Sequence, residues 1–419
     1  MNVRCYPNPG SKTVNLLLWL PVGAFQDPSD MRGLSHVAEH LFFTRQVELA
    51  GQTIVPMTAV EGVGGQVDAA TYREMTRYQM RVHHGTWKQD LKLLLQLFRN
   101  SHVDPHCVEV EKQSIRSELL EYSEYPDVWA NVLSEQGLFG ANNPYSAFIG
   151  GEPDDLEAIT ASAVSQFWNT IDPDRLLLQV MGDVTREEVL AVIQEVLQDS
   201  AFAESNLYVP IVIDPPVCQF GIVHQPSENE LTTLGLSIPM PGTFDPDFPV
   251  AKVLKELLAG TSTSRLYASL RQRHRMIYVI EGSYEPTTGY GVLNLVTTFE
   301  EKNTSKVLEL VFSELNQILH DGFTAQELQG IKKYLELKHH LMLDSANDYM
   351  KWLGRMIMQG KDVAVEAFLE QISAVTLDQV NELYRTCYGS CHLGIGLIGG
   401  NDDHRDEIER LYQVLNQTP

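Results

Sequence analysis

Thr13-Val14-Asn15-Leu16-Leu17-Leu18-Trp19-Leu20 is an apolar run of strand length that ends on Pro21-Val22-Gly23-Ala24-Phe25 and an Asp27-Pro28 turn, and the helix after it carries His36-Val37-Ala38-Glu39-His40. The same design returns from Leu231. There Leu-Thr-Thr-Leu-Gly-Leu-Ser-Ile-Pro leads into Met240-Pro241-Gly242-Thr243-Phe244, an Asp245-Pro246 turn and a helix from Phe248. Gly23 aligns with Gly242 and Phe25 with Phe244 at one offset. Self-similarity at about half the chain length marks two homologous domains.

The ends of the two halves agree as well. Ile159-Thr160 opens a helix through Phe167-Trp168, followed by a strand from Leu176 to Met181 and Gly182; Val375-Thr376 opens a helix through Leu383-Tyr384, followed by a strand from Leu393 to Ile398 and Gly399. Between the halves, Asn206 to Val217 carries Pro210, Pro215 and Pro216, which break the pattern. The expected domains are therefore 1–205 and 206–419. Val63 to Val82 reads as two strands around a polar turn. Thr185 with Glu188, and Thr324 with Glu327, have capping-box spacing, and Asp104-Pro105 places a cap before a first-turn proline. Val307–Leu319 and Leu328–Leu341 show apolar residues at helical spacing and read as core helices. The fold class is α+β, with each domain a largely antiparallel sheet packed against helices.

The 419 residues are 43% hydrophobic and 21% charged, ordinary for a globular chain, and no apolar run is long enough to span a bilayer. The formal net charge is −24 with no basic stripe, which argues against nucleic acid as a partner. Such charge favours solubility; its sharper reading is an acidic cavity that draws basic peptides. Five cysteines without a CxxC, and no signal-peptide pattern, point to reduced thiols in the cytoplasm. Cys387 and Cys391 are four apart, with no second pair to complete a metal site.

Two histidines four apart on a helix lie about 40° apart around its axis, so His36 and His40 share a face. Two imidazoles with a nearby carboxylate are the core of a zinc hydrolase site, here in the inverted order His-x-x-Glu-His. The flanking Leu34, Leu41, Phe42 and Phe43 are apolar, and ionisable groups in such a setting need partners. A catalytic zinc takes three protein ligands and leaves one position open. The candidate third ligand is Glu118, on the helix that starts at Asp104-Pro105, with Glu121 one turn beyond as the alternative. Glu111 shares that face and could orient a ligand or the water. Glu39 is then free to act as general base on water. At the offset that aligns the halves, His36, Glu39 and His40 fall on Lys255, Leu258 and Ala259, so one zinc per chain is expected.

Gly33 to Phe43 is similar to the zinc helix of the M16 metallopeptidases, the pitrilysin family that includes the mitochondrial processing peptidases, and the Glu111–Glu118 spacing matches that family's pair. The resemblance covers nearly the whole chain, in the short two-domain form. It implies a zinc endopeptidase with His36, His40 and Glu118 as ligands. It implies that Gly64-Gly65-Gln66-Val67-Asp68-Ala69-Ala70-Thr71 is an edge strand that pairs with an extended substrate, and that Phe43 shapes the pocket beyond the scissile bond. It also implies that Arg271 and Tyr278 bind substrate carbonyls and steady the transition state. The chain departs from the family in having Asp68 where an asparagine is usual; a carboxylate cannot donate to a carbonyl as an amide can. It departs again at Arg275-Met276-Ile277, where Gly-Leu-Ala is usual. The family builds a closed chamber from four such domains, so the resemblance implies a homodimer, with a heterodimer with an M16-like partner as the alternative. A further alternative is a non-catalytic subunit that binds peptides.

Overall fold

A computed structural model describes residues 1–49, 51–197, 210–390, 392–400 and 403–416. The expected boundary at 205/206, most of the first part of the proline-rich join, and Cys391 lie outside the described residues. The chain forms two compact units, each a five-stranded sheet with helices, in agreement with the expected fold class.

In the first unit the strands are β1 (Asn2–Pro7), β2 (Thr13–Leu20), the short pair β3 (Val47–Leu49) and β4 (Gln52–Ile54), β5 (Gln66–Thr71), β6 (Thr76–His83) and β7 (Leu177–Gly182). The sheet order is β1-β7-β2-β6-β5, with only the β1–β7 pairing parallel. β2 is central, and its apolar run is continuous because both its faces are buried. Leu16, Leu18 and Leu20 join the main core with helix α1 (Leu34–Thr44). Leu17 and Trp19 face the other way, into a second cluster with Met350, Leu353 and Ile357. Each such side chain contributes roughly 1.5–3 kcal/mol on burial.

The second unit has β8 (Gly221–Gln225), β9 (Leu231–Met240), β10 (Ile280–Pro286), β11 (Gly291–Glu300) and β12 (Gly394–Ile398) in the order β10-β11-β9-β12-β8. Again one outer pairing, β12–β8, is parallel and the rest are antiparallel.

The units are not the contiguous stretches 1–205 and 206–419. Residues 121–147 belong to the second unit, and residues 342–362 to the first. Each half of the chain contributes a pair of helices: α2 (Pro105–Ser123) with α3 (Pro126–Phe139), and α5 (Ala325–Leu343) with α6 (Ala346–Met358), on either side of α4 (Phe248–Ala259) in chain order. The second helix of each pair is exchanged. α6 supplies Met350, Leu353 and Ile357 to the cluster under β2. α3 lies on the second sheet at backbone distance: a side chain at Gly394 would stand 1.8 Å from the Ser134 carbonyl, and one at Gly235 2.2 Å from that of Ala130. Small residues on both surfaces permit this approach, and buried hydrogen bonds fix it. The Ser134 and Ser237 hydroxyls are 2.7 Å apart, Ser237 donates to Asn294, and Asn294 donates to Glu135.

The start signals are realised. Thr185 and Glu188 form a reciprocal capping box, as do Thr324 and Glu327, and Asp104 accepts from the His106 N–H. The 307–319 pattern is core, with Val307, Leu308, Val311, Phe312, Leu315 and Ile318 buried. The 328–341 pattern is core only in part, because Leu337 and Leu341 are exposed while Leu328, Ile331 and Leu335 are buried. Cys5, Cys107, Cys218 and Cys387 are free thiols. Among the described residues no helix is long and apolar enough to cross a membrane.

Candidate metal centre

Helix α1 is held at both ends. Asp27 accepts from the N–H groups of Gly33 (3.0 Å) and Ser35 (2.9 Å) and from the Ser35 hydroxyl (3.1 Å), satisfying amides that the first turn leaves open. Gly33 has φ 84°, and a Cβ there would meet the Gly150 carbonyl at 2.3 Å. At the other end the buried guanidinium of Arg45 donates to the carbonyls of Leu41, Phe42, Leu97 and Asn100 and lies 4.2 Å from the Trp168 ring centre. Burial lowers its pKa to about 10. The sequence pattern shows neither anchor, since Asp27-Pro28 reads only as a turn.

His36 and His40 share a helix face as their spacing predicts, and Glu118 converges on them, with the three ligand atoms within 4.8 Å of one another. His36 Nε2 lies 3.2 Å from His40 Nε2 and 3.8 Å from Glu118 Oε2, and His40 Nε2 lies 3.3 Å from the same carboxylate oxygen. Two ligand atoms about 2.05 Å from a zinc ion and at a tetrahedral angle would be about 3.3 Å apart. The triangle therefore fits three corners of a zinc tetrahedron, and the donor set of two imidazoles and one carboxylate fits the same ion. The alternative ligand, Glu121, is exposed and accepts from the Tyr125 hydroxyl. Among the described residues no other cluster of metal-ligating side chains forms.

Glu111 lies beside His40 and Thr44. Its Oε1 is 3.0 Å from His40 Nδ1 and its Oε2 accepts from Thr44 at 2.8 Å. The hydrogen bond with His40 is the main reason its carboxyl is held below the usual range. For His40, burial works against the charged form, but hydrogen bonds with Glu111 and Glu118 outweigh it and raise the pKa to about 10. Burial, reinforced by the charge on His40, lowers His36 to about 4. The cluster thus draws one proton to His40, and a cation bound there would displace it.

Glu39 Oε2 is 3.9 Å from His36 Nε2 and accepts from the Thr71 hydroxyl at 3.1 Å. Burial raises its carboxyl to about 7. Thr71 ends β5, the outer strand of the sheet, so the carboxylate and an open strand edge lie side by side.

Four of the expected substrate residues are placed differently. Gly64 and Gly65 precede β5 and form its entry turn; Gly64 has φ 87°. Phe43 is only 3% exposed, packed against Phe42 and Tyr78, and so belongs to the core beneath the site instead of a pocket wall. Asp68 points away from Glu39. Side chains alternate along a strand, so Val67, Ala69 and Thr71 face α1 while Asp68 faces the exchanged helix α6. There Asp68 Oδ2 pairs with Arg77 (2.9 Å) and Lys351 (2.8 Å). Its charge is thus matched by two cations, and its partners span too much sequence to be read from spacing.

Arg271 and Tyr278 belong to the second unit and stand together, with the guanidinium 5.2 Å from the ring centre and donating to the Ile277 carbonyl at 3.3 Å. Tyr278 is 78% exposed. Arg271 lies in the last turn of a π-helical segment, Tyr267–Arg273. Arg265, just before that turn, is anchored by Glu327 and the Gly322 carbonyl. Within the same segment Arg275 has φ 58°, the one non-glycine residue with positive φ among the described residues. A side chain in this left-handed region costs roughly 1–2 kcal/mol, which explains why glycine is the usual occupant.

The description "Insulinase (Peptidase family M16)" matches residues 3–144, and "Peptidase M16 inactive domain" matches residues 158–335. The chain is 23% identical over 388 residues to the uncharacterized zinc protease YmxG of Bacillus subtilis, covering 91% of this chain and 92% of that protein. It is 24% identical over 401 residues to an uncharacterized zinc protease of Mycobacterium leprae, covering 92% and 88%. The fold is similar to the crystal structure of a peptidase M16 inactive domain from Pseudomonas fluorescens, with a TM-score of 0.84, 18% identity and 95% of each chain covered.

Proposed function

The chain belongs to peptidase family M16, and from that premise we propose that it is a zinc-dependent endopeptidase that cuts peptides or unfolded segments bound as an added strand on β5. The observation that carries the reading is the triangle of His36, His40 and Glu118 with Glu39 beside it. Zinc held there by those three residues supplies a Lewis acid for the peptide carbonyl and makes water a better nucleophile near neutral pH.

The remaining steps belong to the protein. The open edge of β5 offers backbone N–H and C=O groups to an extended peptide, which gives binding with little side-chain preference. Glu39 takes a proton from the attacking water and returns it to the leaving amine. A carboxyl whose pKa burial raises to about 7 is matched to both transfers. Thr71 holds Glu39 toward the strand edge by its hydroxyl. Glu111 and Thr44 fix the orientation of the His40 ring. Arg271 and Tyr278 donate to substrate carbonyls and to the charge that develops on the oxygen. The working form in this reading is a homodimer in which Arg271 and Tyr278 of one protomer serve the zinc site of its partner.

The test is cleavage of a quenched fluorescent peptide library by purified wild type and Glu39→Gln, each assayed for bound metal. The expected result is about one zinc per chain in both proteins and cleavage by wild type alone. Zinc without cleavage in either protein would favour a peptide-binding subunit or one that needs a distinct M16-like partner. Absence of zinc in both would refute the site.

A further inference from the structure

We infer that the segment around Arg275 is a receptor for a carboxylate of the peptide substrate, with Arg273 as its second guanidinium. The inference rests on the peptidase reading, in which the neighbouring Arg271 and Tyr278 hold the substrate backbone.

The first observation is charge. In a chain of net charge −24, Arg271-Gln272-Arg273-His274-Arg275 places three arginines within five residues, and no acidic residue occurs from Leu266 to Ile280. Solubility does not require cations here, because the surrounding chain already carries a large excess of one sign.

The second is how the three guanidiniums are engaged. Arg271 is committed to the Tyr278 ring and the Ile277 carbonyl. Arg273 is 64% exposed and reaches Glu314 only at 3.9 Å, a carboxylate it shares with Arg265. Arg275 is exposed and has no hydrogen bond or ion pair among the described residues. Arg265, by contrast, is fully used by Glu327, Glu314 and the Gly322 carbonyl.

The third is backbone strain. Arg275 keeps a long side chain at φ 58°, where glycine would sit without cost. The conformation is fixed on both sides, by the His274 N–H to the Ser269 carbonyl (3.0 Å) and the Met276 N–H to the Leu270 carbonyl (2.9 Å). It follows directly on the π-helical turn, a feature frequent at functional sites. A strained residue held by its surroundings is a pointer to function. Here the strain holds a guanidinium in solvent, three residues before the exposed Tyr278.

A guanidinium presents paired donors that match the two oxygens of a carboxylate. The carboxylate can come from the C-terminus of a peptide or from an internal Asp or Glu. This assignment runs against the preference for basic peptides that the net charge alone would give: the bulk of the molecule is acidic, and the segment beside the backbone-binding pair is not.

The experiment uses full-length Glu39→Gln loaded with zinc, so that peptides bind without being cut. Labelled peptides of one sequence are titrated by fluorescence anisotropy, with a C-terminal acid or amide in one pair and an internal Glu or Gln in the other. We expect the acidic member of one pair to bind about fivefold more tightly at low salt, with the ratio shrinking toward one at about 1 M salt. The pair that responds identifies the source of the carboxylate. Arg275→Gly should bring the ratio close to one, and Arg275→Lys should keep part of it. Because Arg275→Gly also relieves a left-handed residue, it should melt no lower than its parent, which separates loss of recognition from loss of fold. Equal binding within both pairs, or a ratio that survives Arg275→Gly combined with Arg273→Gln, would overturn the inference while leaving the peptidase reading intact. Failure to bind any of the four peptides would overturn both.

Discussion

Replacing Gly354 by alanine should destabilise the protein, although alanine is the better helix former. Gly354 lies inside α6, where propensity alone would reward alanine by about 1 kcal/mol. A Cβ at this position would stand 2.3 Å from Gln179 Oε1 and 2.4 Å from Trp19 Nε1. Those two atoms are partners in a 2.8 Å hydrogen bond between side chains with no exposed surface. The methyl group must therefore push apart a close-packed contact, at about 1–3 kcal/mol, and break or stretch a buried hydrogen bond, at about 1–3 kcal/mol. Less the propensity gain, the net loss is about 1–5 kcal/mol, with a centre near 3 kcal/mol. For a unit of roughly 200 residues that corresponds to a fall in Tm of roughly 6–12 °C. The control is Gly330 in α5, where a Cβ would meet nothing within 4 Å. Gly330→Ala should be neutral or stabilising by up to about 1 kcal/mol. Thermal unfolding followed by circular dichroism measures both. If Gly354→Ala melts at or above wild type, the close seating of α6 on β2 is wrong.

Glu111→Gln should lower zinc affinity about 10–100-fold by loosening the His40 ring, measured by competition with a chelator while the fold is followed by circular dichroism. Asp27→Ala removes the acceptor for two helix N–H groups and a hydroxyl and should cost about 2 kcal/mol in urea unfolding, an effect absent if the start of α1 is held by Gly33 alone. Asp68→Asn tests the ion cluster through pH. Burial pushes this carboxyl up, but Lys351 and Arg77 outweigh it and hold its pKa below the usual range. Its stabilisation is therefore present above the unfolded carboxyl pKa of about 4 and lost as pH falls through the depressed folded value; being half-exposed, the cluster should be worth less than about 1 kcal/mol at pH 7, and the variant should lack that acid-side loss. Mixing Glu39→Gln with Arg271→Ala should restore partial cleavage if sites are shared across a dimer, and no recovery after proven subunit exchange would exclude that arrangement.

The parts of the site that follow from helical period were legible in the sequence. His36, Glu39 and His40 needed only a spacing of four, and Glu111 with Glu118 a spacing of seven, to be placed on two faces. What the period left open, the choice between Glu118 and Glu121, is a question of which turn of α2 lies beside α1, and packing decides it. The exchanged helices were not legible for a related reason. An amphipathic pattern identifies which face of α3 or α6 is buried and says nothing about which sheet receives it. A signal available in the sequence is glycine within strands: Gly235, Gly394 and Gly396 interrupt apolar runs, and such positions mark close backbone approach. Likewise the unbroken Leu16–Leu20 run implied cover on both faces of β2, while the residues that supply it, Met350 to Ile357, lie more than 300 positions away. Asp68 shows the limit from the other side. Its difference from the family residue was visible, but its face and its partners Arg77 and Lys351 depend on strand register and on α6.

The expectation of one metal per chain has an electrostatic side as well as a count of ligands. Counted from the starts of α2 and α5, the position of Glu118 falls on Lys338. The position of His36 falls on Lys255, next to the buried Glu256. Lys338 Nζ lies 2.9 Å from Glu256 Oε1, and Lys255 Nζ lies 3.2 Å from Oε2. A carboxylate this deep requires compensation, and two ammonium groups of the chain itself provide it. The first unit brings two imidazoles and two carboxylates together, a donor set that suits a divalent ion. The second unit has filled the corresponding place with fixed positive charge, which repels one. A metal there would have to displace Lys338 and strip Glu256 of a partner, so zinc measured in the purified protein is expected at His36, His40 and Glu118.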